Sequence, residues 1–367
     1  VRGGDADRRS EMEEDGKPSK RRAGAGVRRV VDLCVGQRAD GDAFSRWVRE
    51  ASALRGLSCE VLHEDVVEAA HAAVCAGRLR VGFLLDLTAR WWHFDDPYVQ
   101  LCYAVKDAGG LVIGDPDTAM MADHKAVTHH RLVRAGIPVP PTLVLRRWMP
   151  DREPTREERK LLGDRVVIKP ARGWGCQGVV MDARAELSEI ARARDYDRTD
   201  DYLIQKQVDY VRLVDDLGVE RPAWWRVLYV FGEIIPCWWS PEDGYYRLVS
   251  LREMWTHELL PLARLAGEIA RITGMQFFST EICLAAERAA PDALYQAGGR
   301  PFYVIDYVND QCDLRVQSVD PAGPPDEVVQ HLAERFAELA WRHRQGLPLD
   351  GHRSLWLRRA SDGDPTI

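Results

Sequence analysis

The spacing of apolar residues changes character partway along the chain, and that change limits the folds open to it. Up to about residue 115, short β-forming runs alternate with longer stretches of helical spacing: RVVDLCV precedes a helix near Phe44–Leu54, CEVLH precedes Val66–Ala76, RVGFLLDL precedes Tyr98–Ala108, and LVIG closes the series. Strands separated by helices pair in parallel through crossovers, so this half reads as a small Rossmann-like α/β unit with both sheet faces covered. The glycines of VDLCVGQRADGD have the wrong spacing for a dinucleotide turn, so no cofactor is expected there. A helix is expected over Thr118–Ala135, ended by Gly136 and the prolines at 138, 140 and 141, with a polar connector over Pro150–Glu158. From Arg165 the pattern becomes paired strands: RVVIKP and QGVVMDA around a glycine loop, DYLIQKQVD, then WRVLYVFGEIIPCWWS as a hairpin turning at Gly232-Glu233. Helical spacing returns over Met254–Thr273, strands FFSTEICLA and FYVIDYVND follow, and an amphipathic helix over Asp326–Arg342 comes last.

Composition narrows the function. At 367 residues the chain exceeds one ordinary core, so several packed units sharing a cleft are expected. A net charge of −7, with no long basic stripe, argues against nucleic acid as a partner. The eight cysteines are scattered and form no C-x-x-C pair, which speaks against a zinc cluster or disulfide framework and for a reducing, cytoplasmic setting. No apolar run reaches spanning length, so no membrane is expected, and the polar residues 1–26 read as a disordered tail without a signal-peptide pattern.

The most informative segment is Val166-Val167-Ile168-Lys169-Pro170 followed by Ala171-Arg172-Gly173-Trp174-Gly175-Cys176-Gln177-Gly178. Its G-x-G-x-x-G match is weak alone, but the β-forming residues after Gly178 make it a loop between antiparallel strands. Such a loop can fold over phosphates, because glycine lets backbone N–H groups approach the oxygens. Lys169 lies inside an apolar strand, where an ammonium needs an anionic partner.

These residues resemble the ATP-grasp family across roughly residues 28–343. Ala122-Asp123-His124-Lys125, a helix, and then Ala135-Gly136-Ile137-Pro138 look like the family's helix whose lysine reaches the nucleotide phosphates. The resemblance implies an N-terminal Rossmann-like α/β domain (27–115) and an ATP-grasp domain (116–345) of two α+β subdomains clasping ATP. These would be a lid over about 145–208 and a C-terminal subdomain over about 209–345, with a tail at 346–367. It makes Lys125 and Lys169 the phosphate lysines, with Arg172, Gly173, Gly175 and Gly178 beside them. Gln205, Lys206, Val208 and Asp209 would line the adenine strand, with Lys206 standing where an acidic residue is usual. Arg226, in a hairpin where Trp225 replaces an acid, would face the transferred phosphate and the acyl oxygen, with Lys169 as its catalytic companion. Glu281, Asp306 and Asn309 would hold magnesium, with manganese as the alternative ion. The acid-to-Asn spacing is three rather than the usual two; a β-bulge at Tyr307 would realign it, or Asp310 would serve instead.

The expected activity is ADP-forming ligation: a carboxylate becomes an acylphosphate, then joins an amine or thiol. A kinase acting on a hydroxyl substrate and a non-catalytic ATP-binding regulator are the alternatives. The partners expected are small carboxylates and amines or a peptide, with a homodimer as an allowed assembly. Trp224-Trp225 and Trp238-Trp239 should each turn one ring inward and one outward, and Asp96-Pro97 should cap a helix. Arg247, Arg252 and Arg315 are further candidates for gripping substrate, and His124, His129 and His130 are given no role.

Overall fold

The computed structural model describes residues 29–37, 42–173 and 175–350; the expected tail at 1–26, Trp174 and residues 351–367 lie outside the described residues. Strands β1 (Arg29–Gly36), β2 (Cys59–Leu62), β3 (Leu79–Asp86) and β4 (Leu111–Ile113) make a parallel sheet in the order β2-β1-β3-β4, connected by helices α1 (Ala43–Leu54), α2 (Val67–Cys75) and α3 (Pro97–Asp107). Alternation along β1 places Leu33 and Val35 in one core with Phe44 and Val48 of α1, and Cys34 in another with Val67 and Val99. Asp96 caps α3, its side chain accepting from the Tyr98 N–H at 2.9 Å with Pro97 in the first turn.

Helices α4 (Pro116–Asp123) and α5 (Lys125–Arg134) occupy the stretch expected as one helix. The break falls at His124, whose backbone leaves the helical region (φ −71°, ψ 93°), and the Lys125 N–H donates to the Ala171 carbonyl at 2.8 Å. A second sheet, β5-β8-β6-β7, is built from β5 (Thr142–Leu145), β6 (Val166–Pro170), β7 (Val180–Ala183) and β8 (Tyr202–Lys206), with α6 (Arg156–Leu162) and α7 (Leu187–Arg194). The expected connector therefore runs into α6, which Thr155 and Glu158 open with a capping box.

After a short ribbon of β9 (Arg212–Val214) and β10 (Glu220–Pro222), the third sheet gathers β11 (Trp224–Val230), β12 (Glu233–Trp239), β13 (Tyr246–Leu248), β14 (Phe277–Leu284), β15 (Gln296–Ala297) and β16 (Arg300–Asn309) in the order β13-β12-β11-β14-β16-β15. The β11–β12 turn sits at Phe231-Gly232, one residue earlier than expected, both residues at positive φ (45° and 85°). Helices α8 (Leu251–Thr256) and α9 (Leu260–Thr273) replace the expected Met254–Thr273 helix; Glu258 at φ 55° and Pro261 in the first turn of α9 separate them. The final helix, α10 (Asp326–Arg344), buries Val329, Leu332, Phe336 and Leu339 in the same core as α1 and the first sheet.

Candidate functional site

Three adjacent strands bring the chemistry together. Arg226 on β11 lies opposite Glu281 on β14, and Glu281 lies opposite Asp306 on β16, forming one row across the sheet. The Arg226 guanidinium makes an ion pair with Glu281 Oε1. Burial works against the charge of Asp306, but Lys125, Lys169 and Arg226 around it outweigh burial and hold its carboxyl below the usual range. The β14–β16 register slips next to this row: Ser279 faces Asn309 and Glu281 faces Asp306, so two steps on one strand match three on the other. The bulge expected near Tyr307 is therefore present. Tyr307 itself is fully buried, its hydroxyl bonded to His129 Nδ1 at 2.8 Å and to Gln205 Nε2 at 3.0 Å.

The two lysines come from different elements. Lys169, on β6 and 7% exposed, donates to the Ile305 carbonyl at 3.0 Å and lies 5.5 Å from the centre of the Tyr307 ring. Burial lowers its pKa, with Asp306 acting in the opposite sense, so Lys169 is poorly compensated as it stands. Lys125 opens α5 and donates to the Gly173 carbonyl at 2.8 Å. Burial opposes its charge, but Asp306, Asp123 and Asp310 raise its pKa. The loop after β6 carries Gly173, Gly175 and Gly178 at φ 121°, 60° and 69°. A Cβ on Gly178 would come within 2.5 Å of the Tyr196 ring, so only glycine fits there.

Other sequence candidates are placed differently. Arg172, expected at the phosphates, is bound by Asp200 at 3.0 Å and lies over the Trp92 ring at 5.2 Å, so its guanidinium braces the loop. Gln205 is buried against Tyr307, and Lys206 is paired with Glu287 at 2.7 Å. Val208 joins Tyr210, Trp224, Tyr303 and Ile305 in a small apolar cluster, while the Asp209 side chain is 79% exposed and reaches Arg165 at 3.4 Å. Arg247 is committed to Glu253 and Arg315 to Asp313 and Asp320, while Arg252 is 78% exposed; none of the three faces the Arg226 row. Trp225 and Trp238 are buried in the core with ring centres 5.1 Å apart and planes tilted by 42°, whereas Trp224 and Trp239 are half-buried on the other face, with Arg226 4.5 Å from the Trp239 ring.

A cavity of about 340 Å³ opens beside Lys125. It is lined by Trp91, Trp92, Asp123, Asn309 and Asp310, among others. Trp92 Nε1 donates to Asp123 Oδ2 at 3.0 Å, and Trp91 Nε1 donates to Asp310 Oδ2. Burial, then the neighbouring Asp310 carboxylate, pushes the Asp123 pKa up to about 7. Sequence reasoning passed over Trp91, Trp92 and Asp123. The adjacent tryptophans and the acid two residues before Lys125 were the available signals.

The residues present fit a magnesium ion. Asp306 Oδ1 and Asn309 Nδ2 are buried without a hydrogen-bond partner, and turning the Asn309 amide over would present a second hard oxygen near Asp306. Among the described residues no three His, Cys, Asp or Glu side chains form a metal cage by themselves. Magnesium commonly takes one or two carboxylates and completes its shell with phosphate oxygens and water.

A parallel α/β sheet, a four-stranded antiparallel sheet carrying one lysine and a six-stranded sheet carrying the carboxylates together have the fold of ATP-grasp structures. No protein-family model and no curated protein matches the sequence. Among solved structures, the chain is similar to the ATP-grasp ligase PsnB complexed with precursor peptide PsnA2 and AMPPNP, at 12% identity over 90% of this chain and all of that one, TM-score 0.53. It is also similar to a RimK domain ATP-grasp protein from Sphaerobacter thermophilus (18% identity, 83% of this chain and 98% of that one, TM-score 0.52). D-cycloserine synthetase DcsG is a third (15% identity, 85% and 99% coverage, TM-score 0.54). Another PsnB structure contains Mg and ADP. No helix among the described residues is long and apolar enough to cross a membrane.

Proposed function

We propose that this chain is an ATP-dependent ligase that activates a carboxylate as an acylphosphate and joins it to an amine, releasing ADP and phosphate. The observation that carries this reading is the Arg226–Glu281–Asp306 row, around whose carboxylates Lys125 and Lys169 supply positive charge. Lys125 and Lys169 bind the triphosphate and the glycine loop covers it, while the apolar cluster around Val208 and Ile305 receives the base. Glu281, Asp306 and Asn309 hold magnesium, or manganese, which when bound neutralises phosphate charge. Arg226, flanked by Glu281 and Trp239, directs its donors at the oxygen that gains charge as the carboxylate is phosphorylated. Positioning and electrostatics supply the rate in such phosphoryl transfer, so no nucleophilic side chain is required.

The occurrence of a precursor peptide in the PsnB complex supports a peptide as one class of substrate beside small acids and amines. The test is to incubate the protein with ATP, magnesium and a panel of acids and peptides in the presence of hydroxylamine. Acid-dependent ADP accompanied by hydroxamate supports the ligase. ADP with phosphate transferred to a hydroxyl group, and no hydroxamate, identifies a kinase instead. ATP binding with no ADP formed from any acid or hydroxyl compound identifies a nucleotide-binding regulator.

A further inference from the structure

The cavity beside Lys125 has a charge arrangement that the phosphate site does not use. Its lining carries three cations, Arg90, Lys125 and Arg172. Arg90 is already paired with Asp96 at 2.9 Å and Arg172 with Asp200 at 3.0 Å, which leaves Lys125. Asp123 and Asp310 make no ion pair with any described residue; each is held by an indole N–H instead, Asp123 by Trp92 and Asp310 by Trp91. Lys125 is a cation that acts on both, but Asp306 shares it, and a bound triphosphate would claim it. With Lys125 drawn to a triphosphate and magnesium held at Glu281, Asp306 and Asn309, the Asp123 carboxylate faces the cavity without a cation of its own, and a proton or an entering cation would relieve it.

The walls say which kind of cation fits. Each carboxylate is fixed by an indole N–H, Asp123 by Trp92 and Asp310 by Trp91, so neither can swing out to solvent to relieve its charge. Trp92 is half-buried, lines the same space and already carries the Arg172 guanidinium 5.2 Å from its ring centre, so this indole beside carboxylates is a surface that accepts cations. A volume of about 340 Å³ admits a small molecule or one side chain.

Building on the ligase reading above, we propose that this cavity receives the amine substrate as its ammonium ion, between the carboxylates of Asp123 and Asp310 and against the Trp92 ring. The acceptor class is thus a primary amine that is cationic in water, whether a free amine or a lysine-like or amino-terminal group of a peptide. Selection is electrostatic: a neutral hydroxyl compound of the same shape leaves both carboxylates uncompensated. To attack, the bound ammonium gives one proton to Asp123 and becomes the neutral amine. Its lone pair then forms the new C–N bond as the acylphosphate's C–O bond breaks and phosphate leaves. The second N–H proton goes to the departing phosphate, which leaves as hydrogen phosphate as the amide forms.

The closing experiment uses the full chain, an acid that supports hydroxamate formation, and a panel of ethanolamine, putrescine, glycinamide and lysine, each scored for amide product. Hydroxylamine is largely neutral near pH 7 and needs no ammonium site. Asp123→Asn is expected to raise KM for the accepted amine roughly tenfold or more, the size of a lost charged hydrogen bond. Hydroxylamine trapping by the same variant should change far less. Trp92→Phe keeps the ring and removes the N–H, and should raise the same KM by a smaller factor. Titration calorimetry with the preferred amine, on protein saturated with magnesium and AMPPNP, should show the same loss of affinity in Asp123→Asn. Unchanged amine KM and affinity would overturn the proposal. So would a variant whose defect is repaired by raising magnesium, which would make the cavity a second metal site. Absence of hydroxamate from the wild-type protein would remove the ligase reading itself, a result distinct from either.

Discussion

Lys169 is the residue whose environment is least satisfied without a ligand. It is 7% exposed, burial depresses its pKa, and its nearest fixed acceptor is the Ile305 carbonyl at 3.0 Å. A triphosphate would supply the missing anion, so Lys169→Met should weaken binding of a fluorescent ATP analogue by roughly tenfold to a hundredfold, the range for one charge-assisted hydrogen bond. Glu281→Gln should behave differently. It keeps a side chain beside Arg226 but loses the negative charge of the proposed ion site, so turnover should fall by more than ATP affinity. Steady-state ADP formation set against equilibrium binding separates the two. Lys169 was legible in the sequence because an ammonium inside an apolar strand demands an explanation. The partner of Arg172 was not legible: a flexible side chain next to a glycine loop has several reachable partners, and Asp200 lies far enough along the chain that no local pattern revealed it.

At the scale of elements, long periodic segments were readable and the interruptions in them were not. The break at His124 depends on a hydrogen bond from Lys125 to Ala171, 46 residues away, which no helical periodicity encodes. The bulge in β16 was readable because the row from Asp306 to Asn309 could not otherwise share one face. Its anchor was not, since Tyr307 is pinned by His129 of α5 and Gln205 of β8. Burial lowers the His129 pKa to about 4, so this ring is neutral at physiological pH and joins the network through its neutral form. Tyr307→Phe should therefore shift the magnesium concentration needed for half-maximal activity upward by a few fold, with a smaller effect on ATP affinity. A magnesium titration of activity at saturating ATP checks this. Asp86, at the end of β3, offers a pH test. Its carboxylate accepts from Ala89 N at 2.7 Å and helps hold the loop that carries Trp91 and Trp92, yet burial raises its pKa to about 6. The folded state thus holds this proton more tightly than the unfolded chain does. The associated stability is complete below the ordinary value of 3.8 and is lost as pH rises through about 6. Urea unfolding should show the stability of the wild type falling relative to Asp86→Asn between those pH values and running parallel to it above and below them.

Across the whole molecule, the last helix closes what the first strands begin. Phe336 of α10 packs edge-on against Phe44 of α1 at 6.4 Å and against Phe277 of β14 at 4.9 Å, so one ring joins the parallel sheet to the sheet that carries Glu281 and Asp306. A buried charge cluster reinforces the joint: Glu233 at the start of β12 takes His331 at 2.6 Å and lies 3.5 Å from Arg335, all three less than 5% exposed. The amphipathic stripe of α10 could be read from the sequence, but its destination could not, because about 240 residues separate it from β3 and the pairing has no local signature. Removing Glu233 takes away the partner of the buried His331 ring and leaves Arg335 paired with Glu338, so Glu233→Ala should destabilise the fold by about 1–3 kcal/mol. Replacing Glu233, His331 and Arg335 together with apolar residues of similar volume should recover most of that loss, since the desolvation cost disappears along with the attraction. Chemical unfolding of the two variants distinguishes these expectations. If α10 serves only as cover for the first sheet, the triple variant will also regain full ADP-forming activity. If the cluster also sets the angle between the two sheets, stability will return while KM for the amine stays raised, because the loop bearing Trp91 and Trp92 hangs from the first sheet and Asp310 follows the end of the third.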